Sequence, residues 1–194
     1  MNEDTQNKLK TYQELLNKWQ PKINLISSNT LENAWERHFE DSIQIAEHLP
    51  DSAKILFDLG SGAGFPGLVL AIIKPDIQVH LIESDQKKCS FLKTVSRETA
   101  VPVTVQNSRI ESVSCETIPD VITARALASL RGLFEYCQKW IEANPELTLI
   151  FPKGVRSEEE LTELSKSWRY ECCTYQSKTE AEAQILIFSK VCRL

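Results

Sequence analysis

Ile55-Leu56-Phe57-Asp58-Leu59-Gly60-Ser61-Gly62-Ala63-Gly64-Phe65-Pro66-Gly67 is the stretch that decides the fold. Its apolar first part is typical of a buried strand, the glycines predict a tight loop, and the residues from Pro66 onward open a helix. Glycine has no Cβ and tolerates positive φ, so the backbone of such a loop can approach a ligand closely. The following helix presents free N–H groups and positive dipole potential to the same place. The stretch therefore predicts the binding site of a nucleotide-type cofactor.

The spacing of the glycines separates two classes of cofactor. A nicotinamide loop has the pattern G-x-G-x-x-G, in which the third glycine lets helix and strand pack closely. Counted from Gly60, that third position holds Phe65, whose bulky ring disfavours a dinucleotide. The pattern Asp58-x-Gly60-x-Gly62-x-Gly64 instead resembles motif I of the class I S-adenosylmethionine-dependent methyltransferases. We therefore predict S-adenosyl-L-methionine as the cofactor.

A carboxylate downstream of the loop supports a cofactor that contains ribose. Val79-His80-Leu81-Ile82 is typical of a short strand, and Glu83 follows it directly. A carboxylate about twenty residues past the loop, at the tip of the next strand, can accept hydrogen bonds from both ribose hydroxyls. The alternative is that Glu83 is a solvated residue in a turn between strand and helix. The glycine loop at the right distance favours the ribose role.

Strand and helix patterns alternate along the chain from residue 54. We predict strands over 54–59, 78–83, 103–107, 120–124, 147–151, 169–176 and 184–191, and helices over 66–73, 86–99, 128–142 and 157–166. This alternation implies right-handed crossovers and an open, doubly wound sheet that binds ligands at the carboxyl ends of its strands. The last two strands have no helix between them, so one of them should run antiparallel. The predicted class is α/β, a Rossmann-like methyltransferase fold with a seven-stranded, mostly parallel sheet and helices on both faces.

Two helical segments precede the first strand. The first carries an apolar stripe that we interpret as packing and that should stop before Pro21, formed by Leu9, Tyr12, Leu15, Leu16 and Trp19. Thr30 and Asn33 are candidate N-caps of a second helix through about Leu49. We expect one methyltransferase domain over 1–194, with 1–50 as a helical extension and 51–194 as the cofactor-binding core.

Composition limits the classes of partner. The formal net charge of −5 argues against a protein that coats nucleic acid non-specifically, because such binding needs many cationic contacts to phosphates. A local basic face remains compatible with an anionic substrate. Its candidates concentrate in the cofactor-binding half: Lys87, Lys88, Lys93, Arg97, Arg109, Arg125, Arg131, Lys153 and Arg156. Ordinary solvated helix faces are the alternative, above all for Lys93, Arg97 and Lys139.

The cysteines and the apolar runs indicate the compartment. The six cysteines form no C-x-x-C pair and have no matching histidine spacing, so we expect no metal site and no disulfide framework. We interpret them as reduced thiols that lie mostly in the core. No apolar run approaches the length of a membrane span, and the first residues lack the regions of a signal peptide. The expected location is the cytoplasm.

Several short segments carry a closer resemblance. In chain order they are Asn17-Lys18-Trp19, Asn24-Leu25, Arg37-His38-Phe39-Glu40-Asp41-Ser42, the loop from Gly60 to Gly67, Asn107-Ser108-Arg109-Ile110-Glu111, Thr123-Ala124-Arg125-Ala126 and Pro152-Lys153-Gly154. Together they resemble the bacterial glucose-inhibited division protein B family, the methyltransferases G of small-subunit ribosomal RNA. The resemblance covers nearly the whole chain. It implies methylation of N7 of one guanine in 16S ribosomal RNA, with a class I methyltransferase acting on a small molecule or a protein as the alternative.

The resemblance also implies roles for individual residues. Asp58, Gly60, Ser61, Gly62, Gly64 and Phe65 would hold the cofactor through the loop, Glu83 its ribose, Ile110 and Glu111 its adenine, and Arg125 would lie near its reactive end. The catalytic candidates are Arg125, Lys153 and Arg109, as contacts to guanine O6 or to RNA phosphates. The partner would be 16S ribosomal RNA or the small ribosomal subunit, and we expect a monomer without a metal.

The chemistry explains why few acid or base groups are needed. N7 of guanine carries an in-plane lone pair, so no proton has to be removed before it attacks a methyl group. Proximity and orientation can then supply about 7 to 11 kcal/mol of the barrier reduction. His38 and Asp41 lie one helical turn apart, and we weigh a structural hydrogen-bonding pair at least equally with direct catalysis. Trp19 and Trp35 have the spacing of core residues, with stacking on RNA bases as the alternative.

Overall fold

The computed structural model describes residues 1–155 and 157–194. Its strands are β1 (Ile55–Leu59), β2 (Gln78–Glu83), β3 (Thr104–Asn107), β4 (Val121–Ala124), β5 (Thr148–Lys153), β6 (Trp168–Gln176) and β7 (Gln184–Arg193). They form one seven-stranded sheet in the order β3-β2-β1-β4-β5-β7-β6. The first five strands are parallel, and β7 runs antiparallel to both β5 and β6. The predicted α/β class and the reversed strand are confirmed.

The helices are α1 (Glu3–Ile23), the single turn α2 (Asp41–Ile43), α3 (Gly67–Ile73), α4 (Gln86–Thr99), α5 (Leu130–Ala143) and α6 (Ser157–Leu164). Three of them begin at side-chain caps of the kind that satisfies free backbone donors in the first turn. Asn2 accepts from Thr5 N at the start of α1, Asp85 from Lys87 N and Lys88 N at α4, and Ser129 from Gly132 N at α5. From residue 54 onward the predicted element bounds differ from these by no more than a few residues.

Each face of the sheet has its own hydrophobic core. Alternate residues of a strand point to opposite faces, so Leu56 of β1 lies in the core that includes residues of α1, α3 and α4, whereas Phe57 lies in the core that includes residues of α5 and α6. The largest fully buried side chains include Tyr12 and Phe39 in the first core and Trp140 in the second. α1 crosses α4 through a contact between Trp19 and Phe91, with ring centroids 5.7 Å apart. The expectation that Trp19 packs against the core is confirmed.

The N-terminal segments differ from the prediction in two ways. α1 does not stop before Pro21 but runs on to Ile23, two residues past the proline, so the missing N–H and the ring affect only its last turn. The second segment is not one regular helix. It comprises a 3₁₀ turn (Ser28–Thr30), a π-helix (Trp35–Glu40), α2 and a 3₁₀ helix (Gln44–His48). The π-helix begins without a side-chain cap, so Thr30 and Asn33 as its N-caps were wrong predictions.

No helix within 1–155 or 157–194 is both long enough and apolar enough to cross a membrane.

Candidate active site

One large cavity of about 940 Å³ opens at the carboxyl ends of β1, β4 and β5. Its lining includes Gly60 to Ala63 and Phe65 of the glycine loop, Arg125 after β4 and Lys153 of β5. Arg37, His38 and Asp41 line it from the second N-terminal segment, and Thr179, Glu180, Glu182 and Ala183 line it from the connection between β6 and β7. Most of the predicted cofactor loop and two of the three catalytic candidates therefore face one space, whereas Gly64 and Glu83 do not line it.

The glycine loop is fastened to the neighbouring strand. Gly60 N and Ser61 N both donate to the Ile82 carbonyl oxygen, at 2.9 and 3.1 Å. Gly62 has φ of +56°, and a Cβ built there would meet nothing closer than the Gly60 carbonyl oxygen at 3.7 Å. Gly62 thus faces open space in the cavity, in a conformation that other residues rarely adopt. This cradle fits a cofactor that lies close against the backbone.

Glu83 lies at the tip of β2, directly beside the loop. Its Oε2 accepts from Gly62 N at 2.8 Å and its Oε1 from Asp85 N at 2.7 Å, and the side chain is buried. A carboxylate has about four acceptor positions, so each oxygen keeps capacity for a ribose hydroxyl while it holds the loop. Glu83 thus braces the cradle. It is not among the residues that line the cavity, and its contact with a ribose stays a prediction.

Asp58 does not line the cavity. It lies beneath the loop, 1 % exposed, where its carboxylate accepts from Gly67 N at 3.3 Å and Thr123 Oγ1 at 3.0 Å. Burial raises the pKa of the Asp58 carboxyl to about 6, although these hydrogen bonds oppose the rise. The prediction of Asp58 as a cofactor ligand is corrected: its observed contacts fasten the first turn of α3 to β1 and β4.

Tyr12 of α1 is a loop contact that the sequence interpretation missed. Its hydroxyl donates to the Ala63 carbonyl oxygen in the glycine loop, and its ring stacks on Phe65 with centroids 5.3 Å apart. A Cβ built on Gly64 would lie 2.5 Å from the Tyr12 hydroxyl, so the loop and the tyrosine fit closely. The available signal was a hydroxyl within an apolar stripe, because a buried tyrosine usually bonds through its O–H.

Arg125 is held at the cavity by three groups from the second N-terminal segment. Its Nη1 donates to the Arg37 carbonyl oxygen at 3.1 Å and to Asp41 Oδ2 at 3.2 Å. Its Nη2 lies 2.9 Å from His38 Nδ1, and its guanidinium carbon lies 5.2 Å from the centre of the Phe65 ring. His38 and Asp41 are thus not bonded as a pair with each other. They tie the segment to the end of β4 through Arg125.

The protonation of His38 follows from these contacts. An arginine can only donate, so Nδ1 of His38 accepts, and Nε2 carries the hydrogen and donates to Thr30 Oγ1 at 2.9 Å. Burial, followed by the nearby charges of Arg125 and Arg37, lowers the pKa of His38 to about 4. His38 is therefore neutral at pH 7 and serves as an acceptor for Arg125.

Three basic groups around the cavity are paired with acids, whereas Lys88, which also lines it, is in none of the ion pairs of the described residues. Arg37 pairs with Glu180, Arg125 with Asp41, and Lys153 with Glu160, whose Oε2 lies 2.8 Å from Lys153 Nζ. The expected basic face toward an anionic substrate is thus a set of ion pairs at this place. Arg156 from the same predicted set lies outside the described residues.

Arg109, Ile110 and Glu111 form part of a separate turn. The structure places a 3₁₀ turn at Ile110–Ser112, with Ile110 buried and Arg109 and Glu111 exposed, and none of the three lines the large cavity. The backbone there is still bonded to the end of β2, because Ser108 N donates to the Glu83 carbonyl oxygen at 3.1 Å. The prediction that groups Arg109 with Arg125 and Lys153 is therefore corrected: Arg109 lies apart from them, on the side of β3.

Lys139 on α5 secures that turn. Its Nζ donates to the Ile110 carbonyl oxygen at 2.9 Å and to the Val113 carbonyl oxygen at 2.7 Å. It also lies 4.4 Å from the centre of the Trp140 ring. The interpretation of Lys139 as an ordinary solvated residue was wrong, since its ammonium group orders the segment after β3.

The cysteines differ from the prediction in their burial. Cys89 and Cys137 are buried and Cys172 is intermediate, but Cys115, Cys173 and Cys192 are exposed. They are free thiols, as expected, but they do not lie mostly in the core. In the part of the chain that the structure describes, no group of three or more His, Cys, Asp or Glu side chains could hold a metal ion.

A protein-family model matches most of this chain. The model described as rRNA small subunit methyltransferase G, GidB, matches residues 5–186. The chain belongs to the rRNA small subunit methyltransferase G family. The match spans the N-terminal segments as well as the sheet, so the contacts of α1 and of Arg37 to Asp41 lie within the family's region. Members of this family are methyltransferases that use S-adenosyl-L-methionine, and the predicted cofactor is confirmed.

Individual similarities agree with the family. A protein named ribosomal RNA small subunit methyltransferase G from Rhodospirillum centenum is 42% identical over 97% of this chain and 85% of its own length. The protein of the same name from Paramagnetospirillum magneticum is 44% identical over 98% of this chain and 91% of its own. The glycopeptide N-methyltransferase MtfA, solved with S-adenosyl-L-methionine, is similar in fold, with a TM-score of 0.63, 8% identity and coverage of 78% of this chain and 93% of its own.

Proposed function

We propose that the protein transfers a methyl group from S-adenosyl-L-methionine to N7 of one guanine in 16S ribosomal RNA. The observation that carries the proposal is the single cavity that holds both the glycine cradle and the Arg125 cluster, in a chain of the rRNA small subunit methyltransferase G family. The cradle would bind the methyl donor, and the neighbouring space would receive a base. The whole chain would act as one methyltransferase domain.

The cofactor would be held mainly by backbone. Gly60, Ser61, Gly62, Gly64 and Phe65 would lie along its methionine and ribose part, with Glu83 accepting from the ribose hydroxyls. Ile110 and Glu111 would flank the adenine, because their turn is bonded to the end of β2 through Ser108. When bound, S-adenosyl-L-methionine supplies an electrophilic methyl group on a sulfonium. The protein's part is to keep that group facing the space beside Arg125.

Orientation of the guanine is the remaining task of the protein. N7 needs no general base, and His38, which is neutral and already accepts from Arg125, is not required as one. A guanidinium has five N–H donors, and the contacts described for Arg125 use three of them. The other two remain for guanine O6 or a phosphate of the RNA. Because its anchors fix the guanidinium, such a contact would position the base at little entropic cost.

Methyl transfer to RNA tests the proposal directly. The protein is incubated with S-adenosyl-L-methionine labelled in its methyl group and with 16S RNA or small subunits that lack the modification, and the labelled nucleotide is mapped with nucleases. We expect label in 7-methylguanosine at one position, and only background label with the Gly62→Val protein. Binding of the cofactor without labelled RNA would overturn the RNA substrate and favour a small molecule or a protein.

The proposal includes where and in what form the protein acts. The substrate would be met in the cytoplasm, as free 16S RNA or as the small ribosomal subunit, and the chain would act as a monomer. Light scattering of the purified protein, alone and with cofactor, checks the monomer, and a dimer mass at micromolar concentration would contradict it.

A further inference from the structure

An ion pair in the cavity wall carries an inference beyond the placement of the base. Lys153 of β5 and Glu160 of α6 both line the cavity, with Lys153 Nζ 2.8 Å from Glu160 Oε2. Their side chains are 14% and 22% exposed, so neither is a freely solvated surface charge. An ion pair at this depth adds little net stability, because both partners lose hydration. The functional groups that the pair exposes to the cavity therefore matter more than its contribution to stability.

Backbone groups after β4 fix both partners. Lys153 Nζ also donates to the Ala128 carbonyl oxygen at 3.1 Å, and Glu160 Oε2 also accepts from Leu130 N at 2.6 Å. An ammonium has three donor hydrogens, and these contacts use two of them. They engage only one carboxylate oxygen: among the described residues, no group donates to Glu160 Oε1. The pair thus keeps one donor and one acceptor, side by side and held in place.

That arrangement matches one edge of guanine and mismatches adenine. Guanine presents the acceptor O6 next to the donor N1–H, whereas adenine presents a donor amino group next to the acceptor N1. O6 lies between N1–H and N7 on the base, so contacts to O6 and N1–H leave N7 free to react. We propose that the Lys153–Glu160 pair selects guanine, with Lys153 donating to O6 and Glu160 accepting from N1–H. This inference rests on the proposed function and names the group that chooses its base.

Base analogues at the mapped target position test the selection. A synthetic RNA segment carrying guanine, hypoxanthine or 2-aminopurine at that position is ligated into the substrate. Hypoxanthine keeps O6 and N1–H, so its kcat/KM should lie within about threefold of guanine. 2-Aminopurine keeps N7 but lacks O6 and N1–H, and it should react about 30-fold or more slowly, since both charged groups would lose their partners.

The variant Glu160→Gln separates selection from structure. Its amide oxygen can still accept from Leu130 N, while its amino group then offers a donor where guanine also has a donor. The preference for guanine over 2-aminopurine should fall from about 30-fold to about threefold or less. Lys153→Met removes the donor to O6, so kcat/KM for the guanine substrate should fall to that of the 2-aminopurine substrate. Glu159→Gln, on the exposed side of α6, is the matched control and should keep the wild-type preference.

The outcomes distinguish the two proposals. A preference that is unchanged in Glu160→Gln and Lys153→Met, or a wild-type enzyme that accepts 2-aminopurine as well as guanine, would overturn the selection while the methylation of RNA stands. Absence of labelled RNA with the wild-type protein would overturn the proposed function itself. Cofactor affinity, measured by calorimetry, should be the same in Glu160→Gln and wild type, and a loss there would assign Glu160 to the cofactor instead.

Discussion

The two ends of the cavity are built from different materials. At the glycine loop, the groups that would face the cofactor are backbone atoms and one carboxylate 21 residues downstream of Gly62. At the other end, Arg125 is held by groups that precede it by 84 to 88 positions, and Lys153 is held by a carboxylate on α6. The cofactor end thus depends mainly on local backbone conformation, with a contact from Tyr12 of α1, and the base end depends on side chains that tertiary packing brings together.

This difference predicts how each end fails. A substitution at the cofactor end should weaken cofactor binding and leave RNA binding intact, whereas a substitution at the base end should do the reverse. Equilibrium binding of each ligand, measured beside turnover, separates the two ends for every variant below.

Arg125→Ala should have the largest effect. Loss of a positioned charged donor is expected to reduce kcat/KM for methyl transfer by about a thousandfold, with cofactor affinity changed less than threefold. His38 and Asp41 would lose their partner, so thermal unfolding has to be recorded with the kinetics. Normal turnover in this variant would show that Arg125 does not position the base, and it would contradict the proposal that the cavity has a cofactor end and a base end.

Gly62→Val should weaken cofactor binding by about a hundredfold. The new side chain would occupy the open space in front of the loop, at a φ of +56° that valine disfavours. Calorimetry with S-adenosyl-L-methionine measures the effect. Gly154→Ala is the control, because a Cβ there meets nothing within 4 Å. Tolerance of valine would mean that the loop does not contact the cofactor.

Glu83→Ala should weaken cofactor binding by about 30-fold and leave RNA affinity unchanged. The substitution removes the acceptor proposed for the ribose hydroxyls and also the carboxylate oxygen that accepts from Gly62 N. Glu83→Gln keeps an acceptor for Gly62 N but carries no charge, so its loss should be smaller. Cofactor affinity equal to wild type in Glu83→Ala contradicts the ribose assignment.

Tyr12→Phe should weaken cofactor binding by about fivefold. It removes only the hydroxyl that holds the Ala63 carbonyl oxygen and leaves the ring on Phe65, so about 1 kcal/mol of stability is lost as well. Urea unfolding and calorimetry measure the two effects. A loss of stability without any change in cofactor affinity would show that α1 supports the fold but does not shape the loop.

The pH dependence should be the smallest effect. Because the pKa of His38 is about 4 in the folded protein, well below its ordinary 6.5, this residue should add no ionisation to kcat between pH 5 and 8. A depressed histidine pKa means that its stabilisation is present above pH 6.5 and is lost as the pH falls toward 4. Asp58, whose pKa is raised to about 6, acts in the opposite direction.

The contribution of His38 to the pH dependence of stability is therefore measured by comparing the wild-type protein with a variant. Urea unfolding of wild type and His38→Gln at pH 7 and pH 5 should show that wild type loses more stability on acidification than the variant. Equal losses in the two proteins would mean that His38 titrates normally and does not accept from Arg125.

The sheet and the glycine cradle were predictable because their signals are local. Strand and helix periods, the spacing of Gly60, Gly62 and Gly64, and the distance to Glu83 are all properties of short segments. The irregular second N-terminal segment was not predictable in this way. Its apolar spacing suits a regular helix, but the structure has a π-helix whose Arg37 carbonyl oxygen accepts from Arg125.

The partners of the charged residues Glu160 and Lys139 were also not predictable from the sequence. Glu160 belongs to a run of three acids, and only its position on α6, three residues after the buried Ser157 and four before the buried Leu164, separates it from its exposed neighbours. Lys139 resembles any exposed helix lysine until its ammonium group is seen on the carbonyl oxygens of Ile110 and Val113. Charge alone does not tell which partner a long side chain reaches.

By itself, the amino-acid sequence determined the α/β class, the reversed strand, the cofactor loop and the family, because backbone periodicity and glycine conformation are written over a few consecutive residues. The tertiary structure alone decided that Tyr12 clamps the loop, that His38 and Asp41 hold Arg125, and that Glu160 pairs with Lys153. These contacts join residues that are distant in the chain or on different elements. Their existence depends on how helices cross the sheet, since a side chain's partner is set by packing and not by its own chemistry.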